Sequence, residues 1–582
     1  MKKYVILLLT VVFIQSAFSQ QQTKWYQPKF VEGVCVLDSS NIFHRLPVSM
    51  KDSVRKPVWD LSENTAGEFI HFKTTATEIT VRYTLGSKNF SMPHMPSTGV
   101  SGLDLFAIDV NGNWNWAPGR YHFGDTCSYT FRNLFIAKNQ TKVSEFYLYL
   151  PLYNSVKWLS IGVNEKDSFA FAEKRKEQPI VAYGTSILQG AVASRPGLAW
   201  TNIVERNVDR TIVNLGFSGN GRFEKPIFDL MAKVDAKLYI LDCMPNLTGG
   251  YSDEEIKNRV IYGVNKLRKK NKDVPLLFVG HAVGYAPYFM DTARLHEYHH
   301  SSLVIERIFN DLQKSGIRNI YLLTDKEIGF DINSTTEGLH PNDIGMMKYA
   351  AAYEQKIRQI LNEPVGKIVT EIPVEQYRDG YDWIARHEEV KEDIKQNNPQ
   401  NLIIGNSIIH YFGGTPAYQV VRGESAWDKY LKPLRVQNAG FGWDRIENVL
   451  WRVYHGEFDD FKGKNIVLMI GTNNLSAGNS DEEIVDGLQF LINAIKERKP
   501  NVRFIMVGIL PRAKSEERVA MIDKKIKEMS LKNHIEYADF SKDFLTGGQI
   551  NAKLFLKDGL HPNADGYEVL GKEISKLLQQ KK

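Results

Sequence analysis

Short apolar runs alternate with longer amphipathic stretches twice along this 582-residue chain, and that alternation restricts the folds open to it. The strand-like runs lie at 179–183, 238–241, 276–279 and 320–323 in the first half and at 401–404, 466–470, 504–507 and 535–538 in the second. Strands that alternate with helices are typical of a parallel sheet covered by helices on both faces. The sequence therefore predicts two consecutive α/β domains, at 173–362 and 401–582.

The region before these domains has a different pattern. Within 20–172, apolar and polar side chains alternate with period two, for example at 69–72, 78–83 and 145–150. Gly, Asn and Pro separate these runs, which is typical of an antiparallel β-sandwich of jelly-roll type. Residues 363–400 contain three prolines and one charged helical stretch, and we interpret them as a connector between the α/β domains.

The N-terminus predicts export. Two lysines precede an apolar stretch at 4–14, and Ala17 and Ser19 provide small residues for cleavage. Residues 1–19 therefore resemble a signal peptide, with a retained anchor as the alternative, and we expect a periplasmic or extracellular protein. No later run reaches the roughly 18 apolar residues of a membrane span, so we expect no stable membrane insertion.

Charge and cysteine content narrow the function classes. A net charge of +6 without a basic tract gives little support for a nucleic-acid partner. The three cysteines and the lack of CxxC and HExxH patterns give no support for a metal site or cofactor. Sequence leaves open whether Cys35 and Cys127 form a disulfide.

A serine directly follows the first strand of each α/β domain. Ser186 stands in Gly-Thr-Ser-Ile-Leu-Gln-Gly, and Ser407 stands in Gly-Asn-Ser-Ile-Ile. Ligands of open α/β sheets bind beyond the carboxyl ends of strands, where backbone N–H groups at a helix start favour negative charge. A Gly-x-Ser turn is also a common helix cap, so each serine alone is a weak indication of a nucleophile.

Two further elements recur in the same order. A glycine-containing turn follows the second strand and carries Gly219 in one copy and Trp443 in the other. An asparagine, Asn246 or Asn473, follows the third strand. Backbone N–H groups of such a turn and an asparagine amide are donors of the kind that stabilise an oxyanion during acyl transfer.

An acid three residues before a histidine is the strongest signal. The first copy has Glu337-Gly-Leu-His340-Pro and the second has Asp558-Gly-Leu-His561-Pro. In this arrangement the carboxylate orients the imidazole, and the other ring nitrogen faces the nucleophile. The serine and the histidine are 154 residues apart in both copies, which favours duplicated chemistry over coincidence.

These four blocks resemble the SGNH/GDSL hydrolases. The second copy is similar to the platelet-activating-factor acetylhydrolase-like branch, and the first copy with 20–172 resembles bacterial members that carry an N-terminal β-sandwich module. The resemblance implies two flavodoxin-like three-layer domains and cofactor-free ester hydrolysis, often of acetylated sugars. Its site residues in this sequence are Ser186, Gly219, Asn246, Glu337, His340, Ser407, Trp443, Asn473, Asp558 and His561.

The sequence departs from the family pattern at several positions. Thr185 and Asn406 replace the aspartate that usually precedes the nucleophile. Glu337 stands where aspartate is usual, and Trp443 stands where the family has an oxyanion glycine. Trp443 puts the geometry of the second turn in question, because a backbone N–H can serve only if the dihedral angles permit it.

Export and two esterase units suggest an acetylated glycan as the substrate. Sialate esters and plant polysaccharides are alternatives, lipid esters are disfavoured, and one copy could instead be a degenerate glycan-binding unit. Trp114, Trp116 and Tyr121 could stack on sugar rings. Packing inside the sandwich, or against the first α/β domain, is the favoured interpretation of these three aromatic residues.

Overall fold

The structure is a computed structural model that describes residues 22–134, 143–283, 292–377 and 380–580. The segment interpreted as a signal peptide lies outside these residues. Among the described residues, no helix is both long enough and apolar enough to cross a bilayer.

Residues 22–172, here called the N-terminal module, form a sandwich of two five-stranded antiparallel sheets. One sheet has the spatial order Thr23–Tyr26, Val156–Asn164, Ile79–Leu85, Cys127–Phe131 and Gly119–His122. The other has the order Phe169–Phe171, Phe69–Thr74, Ser144–Tyr149, Asp104–Ile108 and Trp114–Ala117. Two short helices, Lys56–Ser62 and Ser97–Val100, lie outside the sheets. Cys35 and Cys127 are both free, so the disulfide that the sequence left open is not formed.

The first α/β unit contains a five-stranded parallel sheet. Its spatial order is Ile212–Gly216, Ile180–Gly184, Leu238–Asp242, Leu276–Val279 and Ile320–Leu323. Its helices are Ser186–Gln189, Trp200–Val208, Lys225–Met231, Asp253–Lys270, Thr292–Lys314, Asp325–Ile328 and Asp343–Leu361. Buried apolar clusters cover both faces of the sheet, which gives three layers and brings the carboxyl ends of the strands to one edge.

The second α/β unit repeats this arrangement. Its sheet has the order Val436–Gly440, Asn401–Gly405, Asn465–Met469, Arg503–Val507 and Glu536–Ala538. Its helices are Ser407–His410, Glu424–Ala426, Ile446–Tyr454, Thr472–Ala477, Asp481–Arg498, Glu516–Lys532, Ser541–Phe544 and Ala564–Gln579. A small hairpin pairs Leu545–Thr546 with Gln549–Ile550. Both sheets therefore have the 2-1-3-4-5 strand order of flavodoxin-like folds, as the sequence predicted.

Side-chain caps define several helix starts. Ser252 accepts a hydrogen bond from the Glu255 backbone at the start of Asp253–Lys270. Ser480 and Glu483 form a reciprocal capping box in the corresponding helix of the second unit. Because each cap satisfies otherwise unpaired N–H groups, these positions fix where the helices begin.

The N-terminal module is packed onto the first α/β unit. Leu46, Met50, Val54 and Val58 share one buried cluster with side chains of the first unit's sheet and helices. Thr98 Oγ1 also donates to the Ser194 carbonyl at 2.6 Å. The module therefore contributes to the first unit's own core.

The connector is likewise packed onto the second unit. Its helix Trp383–Asn397 largely coincides with the charged helical stretch that the sequence predicted. The buried Trp383 is part of an apolar cluster of the second unit. Thr370 is fully buried and donates to the Glu483 carbonyl at 2.7 Å. The prolines of this segment therefore do not mark a free linker.

Asp209 joins the two α/β units. One of its carboxylate oxygens accepts from Arg175 at 2.8 Å, and the other accepts from the Trp451 indole N–H of the second unit at 2.7 Å. His455 of the second unit contacts the Asp209 carbonyl at 3.1 Å. Two side chains of the second unit, Trp451 and His455, thus contact a single residue of the first unit, Asp209.

All three aromatic candidates of the N-terminal module make contacts within it. Trp114 packs against Tyr147 with ring centroids 4.6 Å apart, and Tyr121 stacks on Tyr129 at 5.4 Å. Trp116 donates to Asp104, and the Arg195 guanidinium of the first unit lies 4.4 Å from its ring. These contacts favour the packing interpretation for Trp114, whereas Trp116 and Tyr121 are 49% and 53% exposed and keep a surface that a ligand can reach.

Candidate active sites

Ser186, His340 and Glu337 form a hydrogen-bonded chain at the carboxyl edge of the first sheet. Ser186 Oγ lies 2.8 Å from His340 Nε2, and His340 Nδ1 lies 2.9 Å from Glu337 Oε1. The same carboxylate oxygen accepts the His340 backbone N–H at 2.6 Å. The extra methylene of glutamate therefore does not prevent contact with the imidazole.

Ser407, His561 and Asp558 form the same chain in the second unit. Ser407 Oγ lies 2.9 Å from His561 Nε2, and His561 Nδ1 lies 2.7 Å from Asp558 Oδ2. The other carboxylate oxygen accepts the backbone N–H groups of Leu560 and His561 at 2.9 and 3.0 Å. Both units thus bring the predicted nucleophile, base and orienting acid into contact.

The loop that carries each histidine is fixed by the helix after it. Asn342 and Asn563, two residues beyond the histidines, cap the helices Asp343–Leu361 and Ala564–Gln579 through their side chains. The glycine after each acid has positive φ, +91° at Gly338 and +62° at Gly559. A residue without Cβ is favoured there, so the turn brings the carboxylate back to the imidazole.

The charge states suit general-base catalysis. Burial lowers the pKa of His340, Glu337 raises that pKa, and the adjacent His94 lowers it. Partial burial raises the pKa of Glu337, but hydrogen bonds from His340 and its positive charge more than offset burial, so the net pKa is lowered. Asp558 also has a lowered pKa, because the hydrogen bonds from His561 and Leu560 outweigh partial burial. Both acids are therefore ionised at neutral pH.

Gly219 and Trp443 have the same backbone conformation. Their φ angles are +67° and +68°, in the left-handed region that non-glycine residues seldom adopt. The dihedral angle that Trp443 put in question thus matches that of the glycine in the first unit. We call the segments 218–220 and 442–444 the first and second oxyanion turns.

The two asparagines contact their turns differently. Asn246 Oδ1 accepts the Gly221 N–H at 3.1 Å, so its amide nitrogen is turned away from that contact. Asn473 Nδ2 donates to the Asp444 carbonyl at 2.9 Å. A side-chain amide nitrogen has two hydrogens, so this contact uses only one of them.

Sequence reasoning missed a residue at the same relative position in both sites. Gln189 Oε1 accepts the Ser218 N–H at 3.0 Å, and His410 Nδ1 accepts the Gly442 N–H at 3.0 Å. Gln189 and His410 both stand three residues after the nucleophile and hold the first residue of the oxyanion turn. Burial lowers the pKa of His410 to about 2, which keeps the ring neutral and able to accept. The sequence signal for these two residues was a polar side chain three positions after the serine in both copies.

The first site also includes side chains of the N-terminal module. A cavity of about 500 Å³ beside His340 is lined by Met92, His94 and Met95 of that module, together with Asn220. The His94 and His340 rings lie 6.0 Å apart. No sequence signal connected this segment with His340, because the contact depends on domain packing.

A further missed residue is His281. Burial, and to a lesser extent the proximity of His340, lower its pKa to about 3, so this imidazole is neutral at neutral pH. It follows the fourth strand of the first sheet, at the same edge as the nucleophile.

The second site is bordered by aromatic rings. The Tyr411 ring lies 5.6 Å from that of His561 and is stacked with Tyr418 at 5.8 Å. The Arg422 guanidinium lies 4.7 Å from the Tyr411 ring, and Trp443 is 56% exposed. The two sites therefore share their reactive groups but differ in the surfaces around them.

Comparisons with known proteins agree with this duplicated geometry. Residues 177–358 and 403–569 match two models of the GDSL-like Lipase/Acylhydrolase family, and 22–169 match the N-terminus of Esterase_SGNH_hydro-type. Platelet-activating factor acetylhydrolase IB subunit alpha2 of Homo sapiens is 27% identical over 203 residues, covering 34% of this chain and 84% of that protein.

A solved structure supports the same assignment. The crystal structure of a putative GDSL-like lipase from Bacteroides ovatus is 31% identical, with a TM-score of 0.53. The match covers 59% of this chain and 98% of that one. The chain therefore belongs to the GDSL-like (SGNH) hydrolases that act on ester bonds, with two hydrolase units in tandem behind the N-terminal domain of SGNH-type esterases.

Proposed function

We propose that the protein is an exported serine esterase that removes O-acetyl groups from carbohydrates, sialic acids among them, at two active sites. The observation that carries the proposal is the pair of complete Ser–His–acid chains, each closed by hydrogen bonds of 2.7–2.9 Å. Both units keep every group that an acyl transfer through a serine needs.

The proposed reaction has two stages. Ser186 or Ser407 Oγ attacks the ester carbonyl while His340 or His561 Nε2 takes the serine proton. Backbone N–H groups of the serine and of the oxyanion turn, with the asparagine amide, stabilise the oxyanion. The histidine then gives its proton to the departing sugar hydroxyl, leaving an acetyl-serine. Water, deprotonated by the same histidine, then attacks the acetyl carbonyl, and the histidine returns that proton to the serine oxygen as acetate leaves.

A carbohydrate substrate suits the surroundings of the second site. Tyr411 and Tyr418 present stacked rings beside His561, and the largely exposed Trp443 lies on the oxyanion turn. Aromatic rings offer flat apolar faces with polar edges, a surface that complements a sugar ring. Export rests on the basic and apolar N-terminal sequence.

Acetate release tests the proposal. Wild type, Ser186→Ala, Ser407→Ala and the double variant would be assayed on acetylated sialic acids and acetylated plant polysaccharides. We expect each single variant to lose a different part of the activity and the double variant to lose all of it. Ser40→Ala removes an exposed surface hydroxyl and is the matched control.

Other outcomes would contradict specific parts of the proposal. Activity that survives in the double variant would contradict serine catalysis at these sites. Full activity in Ser407→Ala with none in Ser186→Ala would make the second unit a binding copy, and the converse result would make the first unit the inactive copy. A serine-directed fluorophosphonate should label both serines. A chelator should leave the rate unchanged.

A further inference from the structure

Each oxyanion turn is in contact with a segment that precedes its catalytic unit in the chain. Gln189 and His410 hold the first residue of each turn from inside the unit. Other contacts also come from inside the units, because Arg222 donates to the Gly219 carbonyl at 2.9 Å and both Arg452 and Asn473 donate to Asp444. Further contacts come from residues that neither α/β unit contains. They differ between the two copies, and they act on atoms next to Gly219 or Trp443.

The first oxyanion turn is held by Arg55 of the N-terminal module. Its guanidinium donates to the Asn220 side-chain oxygen at 2.8 Å and to the Asn220 carbonyl at 3.3 Å. The same group pairs with Glu224, whose side chain is only 14% exposed. Val54 and Val58, on either side of Arg55, are buried in the first unit's core. The Arg55 side chain itself is 37% exposed, so its position rests on its buried neighbours and on the ion pair with Glu224.

The second oxyanion turn is held by the connector. Tyr381 Oη donates to the Gly442 carbonyl at 2.9 Å, and Gln376 Nε2 donates to the same carbonyl at 3.1 Å. The Trp383 indole N–H donates to Asp444 Oδ1 at 2.8 Å. Described residues of the connector thus contact both Gly442 and Asp444 of this turn.

Oxyanion stabilisation is sensitive to such anchoring. A donor contributes only when its N–H lies within hydrogen-bond distance of the oxygen that becomes charged. A misplacement of about 1 Å can lower the rate by about 10²-fold. The turns lie between a strand and a helix, and Trp443 holds a left-handed conformation, with φ of +68°, that non-glycine residues seldom adopt. An external contact that opposes relaxation of the turn therefore bears directly on the transition state.

We propose that Arg55 and Tyr381 are positioning residues for the first and second oxyanion turns, and that each catalytic unit depends on the segment before it. The inference rests on the proposed roles of Gly219 and Trp443 as oxyanion donors. Neither Arg55 nor Tyr381 needs to touch substrate in this role. Each acts on the turn by fixing the backbone on one side of the donor.

Kinetics with one site active at a time test the proposal. In protein carrying Ser186→Ala, Tyr381→Phe should lower kcat about 10-fold or more with little change in KM, because a displaced donor weakens only transition-state binding. Tyr430→Phe removes a hydroxyl that bonds to Glu568 on the surface of the same unit. This matched control should leave kcat unchanged.

Arg55 is tested in protein carrying Ser407→Ala. Arg55→Gln should lower kcat of the first site, and Arg55→Lys should restore part of it because an ammonium group can still donate to Asn220. Arg132→Gln, which breaks an exposed ion pair with Glu78, is the control. Raised KM with unchanged kcat, or equal losses at both sites, would overturn the positioning role.

Hydrogen exchange separates this inference from the proposed function. Peptides spanning 440–445 should exchange faster in Tyr381→Phe than in Tyr430→Phe, and peptides spanning 216–222 faster in Arg55→Gln than in Arg132→Gln. Unchanged exchange in the turns overturns the inference whether or not the protein hydrolyses esters. Faster exchange in a protein whose two serines prove dispensable refutes the proposed function while supporting the anchoring of the turns.

Discussion

The acids of the two catalytic chains allow a quantitative prediction. Glu337→Gln would be measured in protein carrying Ser407→Ala, and Asp558→Asn in protein carrying Ser186→Ala. Each change keeps the size of the side chain and removes its charge. During catalysis the histidine becomes an imidazolium, so the substitution deletes an attraction that exists mainly in the transition state.

Solvent exposure sets the expected size of the effect. The side chains of Glu337 and Asp558 are 43% and 45% exposed. Unit charges about 4 Å apart attract by about 1 kcal/mol in water and by about 4 kcal/mol near a protein surface. With about 1.4 kcal/mol for each factor of ten, kcat/KM should fall between about 5-fold and about 10³-fold. A fully desolvated acid would give a larger loss.

Hydrolysis of an aryl acetate across a pH series measures this effect. Because Glu337 raises the pKa of His340, Glu337→Gln should also move the acid limb of the kcat/KM profile to lower pH. Glu254→Gln, on an exposed helix face, is the control. A change within about 2-fold, or a loss well beyond about 10⁴-fold, would refute the reasoning from half-exposed carboxylates.

Three further predictions concern pH, stability and packing. His94→Asn should raise the pKa of His340, since a positive charge beside an imidazole opposes its protonation; the acid limb of first-site kcat/KM should then move to higher pH, and an unmoved limb contradicts it. Arg452→Leu leaves the fully buried Asp444 without its ion pair, so urea denaturation should show the second unit destabilised by about 3–5 kcal/mol, and a loss below about 1 kcal/mol would disprove this. Limited proteolysis should spare 172–178, because the N-terminal module is packed on the first unit, and early release of a folded module would argue otherwise.

Local patterns were sufficient to predict many of the strands and the members of the two Ser–His–acid chains. The strand Leu276–Val279 coincides with its apolar run, because a strand covered on both faces must be continuously apolar. The two acid–histidine motifs were visible because Glu337 and Asp558 stand only three residues from their histidines. Contacts of this kind are encoded within one loop.

Contacts across long stretches of chain were not predictable in this way. Arg55 and Asn220 are 165 residues apart, and no pattern in either segment indicates the other. The prolines of 363–400 suggested a linker, whereas the buried Thr370 and Trp383 tie that segment to the second unit. Composition indicates the local preferences of a segment, whereas contacts with the second unit determine that 363–400 is packed.

The contacts at Asp209 have a consequence for polymeric substrates. If a flexible linker joined the two units, the second site could reach acyl groups at many different distances from a group bound at the first site. Here Trp451 and His455 of the second unit are bonded to Asp209 of the first. These contacts fix the distance between the two serines. A polymeric substrate bound at one site can therefore reach the other only if its acyl groups are spaced by that distance. For the glycan substrate proposed above, this joint would favour chains whose acyl groups are spaced to match the separation of the two serines.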